Sequence, residues 1–297
     1  MSDAEHIDKL RAFTKNHAFY VGIDSDGCAF DTMEIKHKEC FIPNIINVWD
    51  LQPVSKFARE TAEFVNLYSR WRGVNRFPGL VKVFDMLAER PEAIERGYRT
   101  PQVDSLRHWI ETETRLSSAT LKQTVESTGD EVLAKAQFWS DEVNASVAKI
   151  VRNVPPFPHV REVLEALRDQ ADVMVVSATP TEALKREWNE HDIAKYVGMI
   201  CGQELGSKAE HIRHGTSGRY EPDKTLMVGD APGDMRSAKA NDALFFPINP
   251  GDEAESWRRL LEEGLERFFA GTYAGDYEQK LIDDFMNHLP ETPPWKK

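Results

Sequence analysis

Three short apolar runs constrain this chain more than anything else in it: residues 20–23 (Tyr-Val-Gly-Ile), 173–176 (Val-Met-Val-Val) and 225–228 (Thr-Leu-Met-Val). Each stops at a polar residue, Asp24, Ser177 and, one glycine later, Asp230. Continuous apolar runs of this length read as strands buried on both faces, the pattern of a parallel sheet covered by helices. Residues 197–201 form a weaker run and residues 243–248 a further one. Helical patterns lie between them, such as Val160, Val163, Leu164 and Leu167 at i, i+3, i+4, i+7. Strands alternating with helices predict an α/β fold, a Rossmann-like parallel sheet with helices on both faces.

The stretch from 33 to 153 has a different texture. Apolar residues recur there at helical spacing: Phe57, Ala62, Phe64, Val65, Leu67 and Tyr68; Val81, Val83, Phe84 and Leu87; Val132, Leu133, Ala136, Phe138 and Trp139. That spacing predicts a helical domain of roughly five to seven helices, irregular over 91–104, where Pro91, Gly97 and Pro101 punctuate it. Trp49, Trp109 and Trp139 read as its core. The expected organisation is therefore an α/β domain split into 1–32 and 154–297, with an enlarged helical domain, 33–153, inserted after the first strand. Residues 3–16 read as a short helix with Ile7, Leu10 and Phe13 on one face and Ser2 or Asp3 as its cap. Two amphipathic helices are expected over 252–289, one carrying Trp257, Leu260, Leu261, Leu265 and Phe268, the other Tyr277, Leu281, Ile282, Phe285 and Leu289. Their apolar faces suit either the chain's own core or a second subunit, which leaves a homodimer open. Residues 290–297 read as a loose end.

A net charge of −12 argues against nucleic acid as a partner, because a phosphate backbone needs a basic face. No apolar run approaches the ~18 residues of a membrane span, so no membrane partner is expected. The polar start of the chain lacks the apolar stretch of a signal peptide. Cys28, Cys40 and Cys201 have neither zinc-site spacing nor a disulfide framework, and a cytoplasmic setting is the simplest expectation.

The chemistry begins at Asp24-Ser25-Asp26-Gly27. A carboxylate leaving water at a strand end is costly unless it meets a partner such as a metal, and that edge of an open α/β sheet is where ligands bind. A calcium loop is excluded, because its fifth and sixth positions would be Cys28 and Ala29. Ser177, Lys208 and the pair Asp230 and Asp234 fall near other strand ends. Taken singly, each has an ordinary reading: a turn, a loop serine, a solvated lysine, a helix cap. Lys208 departs from its local rule, since it opens a helix with the capping-box pattern Ser207-Lys208-Ala209-Glu210, where a cation opposes the helix dipole. A rule broken without local gain points to function.

In order and chemistry these residues resemble the haloacid dehalogenase superfamily. The first motif, Asp-x-Asp after a strand, is Asp24-Ser25-Asp26. The second is Ser177 ending a strand, the third Lys208 opening a helix, and the fourth Gly229-Asp230-Ala231-Pro232-Gly233-Asp234. The insertion after the first motif resembles the helical cap of the β-phosphoglucomutase-like branch, with Asp31-Thr32 as the hinge into it. The resemblance implies a Mg2+-dependent phosphatase acting on a small phosphorylated metabolite through an aspartyl phosphate. Asp24 would be nucleophile and metal ligand. Asp26 would be the general acid–base and lend its main-chain carbonyl to the metal. Ser177, with the amides of Ser25, Asp26 and Ala178, would hold the phosphoryl group, and Lys208 would neutralise it. Asp230 and Asp234 would complete the Mg2+ site, Asp234 either directly or through a water. Within the insert, Gly73-Val74-Asn75-Arg76 resembles the cap's specificity loop, so Arg72 and Arg76 would meet a second phosphate or polar group; a basic helix end is the plainer reading. The family's frequent histidine is replaced by Lys36, with His37 one place later, which leaves that hinge role unassigned. Asp26 argues against the dehalogenase branch, which lacks a second Asp, and against the phosphonate-cleaving branch, which has Ala there. A phosphomutase keeps all these residues and is the alternative; a non-catalytic binding relative is the third reading.

Overall fold

The computed structural model describes residues 3–296. The chain divides into two compact units, Met1–Met33 with Asn153–Pro290, and Glu34–Arg152 with Glu291–Lys297.

The first unit is built on five strands, β1 (Phe19–Ile23), β2 (Ala171–Val176), β3 (Met199–Cys201), β4 (Thr225–Gly229) and β5 (Leu244–Pro247). They form one parallel sheet in the order β3-β2-β1-β4-β5. Side chains alternate across a strand, and both faces are covered. Val21, Ile23, Val173, Val175, Leu226, Val228 and Phe246 pack with Leu164, Leu184, Trp188 and Trp257 on one side. Tyr20, Met174, Val176, Met227 and Phe245 pack with Leu10, Ile212, Ala238 and Phe285 on the other. At Gly22 an added Cβ would lie 3.1 Å from the Met227 sulfur and 3.2 Å from Val176 Cγ2, so a smooth backbone there lets neighbouring strands carry large side chains.

The first helix spans Asp3–Arg11 and stops short of the expected residue 16. Phe13 is still buried, but from the following loop, where its ring meets Tyr20 edge-on at 6.0 Å. The expected cap lies outside the described residues for Ser2, and for Asp3 only the backbone is described. Asp172, at the start of β2, ties this loop down. Its Oδ2 accepts from the amides of Asn16 and His17, both at 2.9 Å, and from the Tyr220 hydroxyl at 2.8 Å. Its Oδ1 lies 3.0 Å from His17 Nδ1.

The tail helices, Glu253–Arg259 running through a π turn into Leu265–Phe269, and Asp276–His288, bury their apolar faces on this same sheet. Trp257, Leu260, Leu265, Phe268 and Leu281 join one core face, and Ile282, Phe285 and Leu289 the other. The Glu278 carboxylate accepts from the Phe245 amide and the Tyr273 hydroxyl donates to the Phe245 carbonyl, both at 2.8 Å. Those two bonds occupy both backbone groups of Phe245 on edge strand β5, where an open edge would otherwise invite another strand.

The second unit is helical. Its main helices are Ser55–Leu67, Arg76–Ala88, Asp104–Thr112, Ser118–Thr128 and Glu131–Ile150, preceded by a helical segment with a π turn at Lys36–Phe41. Trp49, Trp109 and Trp139 are buried in its core, where Trp109 and Trp49 meet Phe77 and Phe84 edge-on at 5.1 and 5.0 Å. The stretch expected to be irregular contains a short helix, Pro91–Glu95, because proline at the first helical position is favourable rather than disruptive. Of residues 290–297, read from the sequence as a loose end, 291–297 group with the helical unit. Trp295 lies 4.3 Å from the Arg90 guanidinium and edge-on to Phe64 at 5.5 Å, Glu291 pairs with Arg70 at 2.6 Å, and Lys296 pairs with Glu89. Among the described residues no helix is long and apolar enough to cross a membrane.

Burial favours the neutral Asp172 carboxyl, but the hydrogen bonds from His17, Tyr220 and Asn16 outweigh it and hold the group below the usual carboxylate range. Replacing it by alanine should cost about 2–4 kcal/mol in urea denaturation at pH 7. A folded value below the unfolded one means that this stabilisation is present above about pH 3.9 and lost as pH falls through the folded value. The difference between wild type and Asp172→Ala should therefore shrink under acid; a gap unchanged by acid would assign the effect to lost packing instead.

Candidate active site

The order β3-β2-β1-β4-β5 places β1 at the centre, with β2 and β4 on either side. The strand order reverses there, and in open α/β sheets such a point leaves a crevice at the carboxyl ends of the strands. Asp24 follows β1, Ser177 follows β2 and Asp230 follows β4, so three functional candidates meet because their strands are neighbours.

The loop after Asp24 is tightly wound. The Ser25 carbonyl accepts from the amides of Ala29 at 2.9 Å, Phe30 at 3.0 Å and Cys28 at 3.3 Å. Gly27 turns the chain with φ 76°, a left-handed conformation that glycine adopts without penalty. Two indoles brace the loop from below. Trp188 Nε1 donates to Ser25 Oγ at 3.0 Å, and Trp257 Nε1 donates to the Cys28 carbonyl at 2.8 Å.

Asp24, Asp230 and Asp234 are all buried, and each offers a carboxylate oxygen within 4.8 Å of the others. Lys208 reaches into this cluster. Its Nζ lies 2.6 Å from Asp24 Oδ2 and 2.5 Å from Asp234 Oδ1. The helix that carries it begins with the expected box: Ser207 accepts from the Glu210 amide, and Glu210 accepts from the Ser207 amide at 2.8 Å. Asp234 turns inward from the first turn of helix Pro232–Lys239, and its Oδ2 accepts from the Ala231 amide at 3.1 Å. Gly229 makes room for it, since a Cβ there would sit 2.4 Å from Asp234 Cβ.

The electrostatics of the cluster are unbalanced. Burial pushes the Asp24 carboxyl well above the usual carboxylate range, and the Asp234 and Asp230 carboxylates push the same way, while Lys208 alone pulls it down. Three acids leave water together here, a company that a single strand-end carboxylate does not have. Burial alone would lower the Lys208 ammonium, but Asp234 and Asp24 outweigh it and hold it protonated. Three buried oxygens from hard carboxylate ligands fit a small divalent cation.

Asp26 stands apart from that trio. It is half-buried, its Oδ1 accepts from the Thr32 hydroxyl at 2.5 Å, and its Oδ2 accepts from the Thr179 hydroxyl at 2.6 Å. In sequence Thr179-Pro180-Thr181-Glu182 reads as a helix start with Thr179 as its cap, yet the Thr179 hydroxyl goes to Asp26 instead. The helix begins at Thr181 behind Pro180, with no side-chain cap of its own. Ser177 is buried beside this turn, where its Oγ accepts from the Thr179 amide at 3.2 Å, and Ala178 is exposed on the same turn.

Arg72 and Arg76 are engaged inside the helical unit. Arg72 donates to the Leu67 carbonyl at 2.9 Å. Arg76 follows Asn75, whose side chain caps the helix by accepting from the Phe77 amide. It donates to Ser140 Oγ at 3.0 Å and Asn144 Oδ1 at 2.9 Å, with its guanidinium 5.0 Å from the Phe41 ring centre. Burial pulls the Arg76 guanidinium down to about 10, opposed only by the Asp141 carboxylate. A cleft of about 650 Å3 lies wholly within the helical unit, between Trp49, Tyr98 and Lys135.

Thr179, Trp188 and Trp257 are the residues the sequence reading missed. Thr179 was hidden by a better local explanation, and the two tryptophans look like any buried aromatic until the loop they brace is in place.

The family model described as haloacid dehalogenase-like hydrolase matches residues 74–246. No curated protein sequence matches the chain. Among solved structures, a haloacid dehalogenase-like family hydrolase from Streptococcus pneumoniae is 13% identical with a TM-score of 0.44, over 90% of this chain and 98% of that one. A predicted phosphatase from Clostridium acetobutylicum is 14% identical with a TM-score of 0.46, over 84% and 100%. A haloacid dehalogenase-like family hydrolase from Xanthomonas campestris is 13% identical with a TM-score of 0.44, over 86% and 97%.

The acid trio predicts a cation response in thermal melts. Wild type should gain with added Mg2+, by about 2.7 kcal/mol at a hundredfold excess over its Kd, and Asp230→Asn should lose most of that gain. Equal Mg2+ responses in the two proteins would place the cation elsewhere.

Proposed function

The chain belongs to the haloacid dehalogenase-like hydrolases, and on that premise we propose that it is a Mg2+-dependent phosphatase acting on a small phosphorylated metabolite. The observation that carries this reading is the buried cluster of Asp24, Asp230 and Asp234 at the strand ends, with Lys208 paired to Asp24 and Asp234. Phosphoryl transfer asks little of a protein beyond positioning and charge neutralisation, and this cluster supports both.

In this reading Asp24, Asp230, Asp234 and the Asp26 carbonyl hold Mg2+. When bound, the cation supplies the positive charge that lets a phosphate approach a carboxylate. An Asp24 oxygen attacks phosphorus and the bond from phosphorus to the ester oxygen breaks, leaving the phosphoryl group on Asp24. Asp26 gives its proton to the departing oxygen, then takes one from the water that attacks the aspartyl phosphate, so the second half-reaction restores both carboxyls. The Ser177 hydroxyl and the amides of Ser25, Asp26 and Ala178 donate to the phosphoryl oxygens, and Lys208 neutralises the Asp24 side of the site. The helical unit acts as a cap that contacts the rest of the substrate, with Arg72 and Arg76 as its cationic groups. Arg76 supports this in one respect: its hydrogen-bond partners, Ser140 and Asn144, are neutral, and the nearby Asp141 carboxylate acts on it without a hydrogen bond.

Purified wild type should release inorganic phosphate from p-nitrophenyl phosphate with Mg2+, and chelation should abolish the release. Asp24→Asn should reduce kcat by about 10³-fold or more without lowering the melting temperature. No phosphate release across a panel of phosphorylated metabolites would sink the phosphatase reading. Isomerisation of a sugar phosphate without net release would replace it by the mutase one.

A further inference from the structure

We propose that Thr179 is a positioning residue for Asp26, holding the acid–base carboxylate in register with the leaving oxygen; this rests on the phosphatase reading above. Its hydroxyl donates to Asp26 Oδ2 at 2.6 Å, although the two residues are 153 positions apart in the chain.

Local structure gives this threonine another job and does not use it. Thr before Pro at a helix start is a favoured cap. Yet the first amide of helix Thr181–Glu190 is satisfied from elsewhere: Glu204 Oε2 accepts from the Thr181 amide at 2.9 Å and from the Thr181 hydroxyl at 2.7 Å. Glu204 does the capping and Thr179 turns its hydroxyl to Asp26.

The mount for that hydroxyl is stiff. The Thr179 amide donates to Ser177 Oγ at 3.2 Å and its carbonyl accepts from the Gln203 amide at 3.1 Å. Gly202 lies so close behind that an added Cβ would be 2.5 Å from the Thr179 carbonyl oxygen. The β-branched side chain adds few rotamers of its own. Asp26, by contrast, is a half-buried side chain on a loop. The Thr32 hydroxyl on its other oxygen belongs to the segment that leads out of the α/β unit, whereas Thr179 is a contact carried by the turn that directly follows β2. A general acid must stand within hydrogen-bond reach of the oxygen it protonates, and a misplacement of about 1 Å can cost on the order of a hundredfold.

The test compares two aryl phosphates on the full-length protein with Mg2+. p-Nitrophenyl phosphate releases a phenolate that leaves unaided. Phenyl phosphate releases a phenol of about the tyrosine pKa, ~10, and depends on the acid. In Thr179→Val, kcat/KM for phenyl phosphate should fall about tenfold or more, against about twofold or less for p-nitrophenyl phosphate. Thr179→Ser should restore the wild-type ratio, and Thr179→Ala, which removes the bulk as well, should repeat the valine result. Since Glu204 caps the helix, the melting temperatures of all three should stay near wild type. Equal losses on both esters would overturn the proposal and make Thr179 a phosphate contact or a structural residue. No loss on phenyl phosphate would overturn it as well. A wild type inactive on both esters would instead remove the phosphatase reading and the proposal with it, a failure that shows before any variant is made.

Discussion

Like charge held out of water is the constraint to which the α/β unit answers. Asp24, Asp230 and Asp234 are all buried within a few ångströms of one another, with the Lys208 ammonium paired to Asp24 and Asp234. Such a group does not assemble for the sake of stability, because buried ions lose more hydration than one partner returns. The surrounding structure makes sense as what holds it in place. Parallel neighbours deliver the acids from strand ends, and Gly229 lets Asp234 fold in. A capped helix presents Lys208 against its own dipole, and two indoles keep the Asp24 loop from relaxing outward. Regions that store this kind of conflict are where activity is normally traded against stability.

The parts of this arrangement legible in the sequence were those set by period and by strand ends. Residues 20–23, 173–176 and 225–228 read as buried strands because runs that short and that apolar have few other uses. Their terminal acids stood out because burial makes them expensive. The family resemblance then ordered the four motifs, and the family match over 74–246 spans the stretch that holds the last three. What the sequence did not show depends on contacts made at long range. The first helix stops at Arg11 while Phe13 remains buried from a loop, since an apolar pattern reports burial and not backbone conformation. Thr179 satisfied a local capping rule that Glu204, twenty-five residues later, made redundant (204 − 179 = 25). The raised Asp24 carboxyl could not be read from an isolated Asp-x-Asp, because it comes from the company of Asp234 and Asp230.

The tail illustrates the same point for packing. Two amphipathic helices at the end of a chain read equally well as a dimer surface or as a cover for the chain's own sheet. Here Trp257, Phe268 and Phe285 go into the core, and Glu278 and Tyr273 occupy the free side of β5. An edge strand that would otherwise be open to pairing is closed by side chains rather than by another strand.

The last seven residues carry a consequence of a different kind. An inserted domain that enters and leaves through one pair of neighbouring links can be exchanged between relatives as a cassette. In this chain the backbone changes units three times, after Met33, after Arg152 and after Pro290. Trp295 leans on Arg90 of the helical unit from the far end of the sequence. A chimera that swapped residues 34–152 alone would leave Trp295 without its guanidinium and Arg90 without its aromatic cover. An exchange that keeps this packing has to carry residues 291–297 along with the insert, two segments far apart in the sequence.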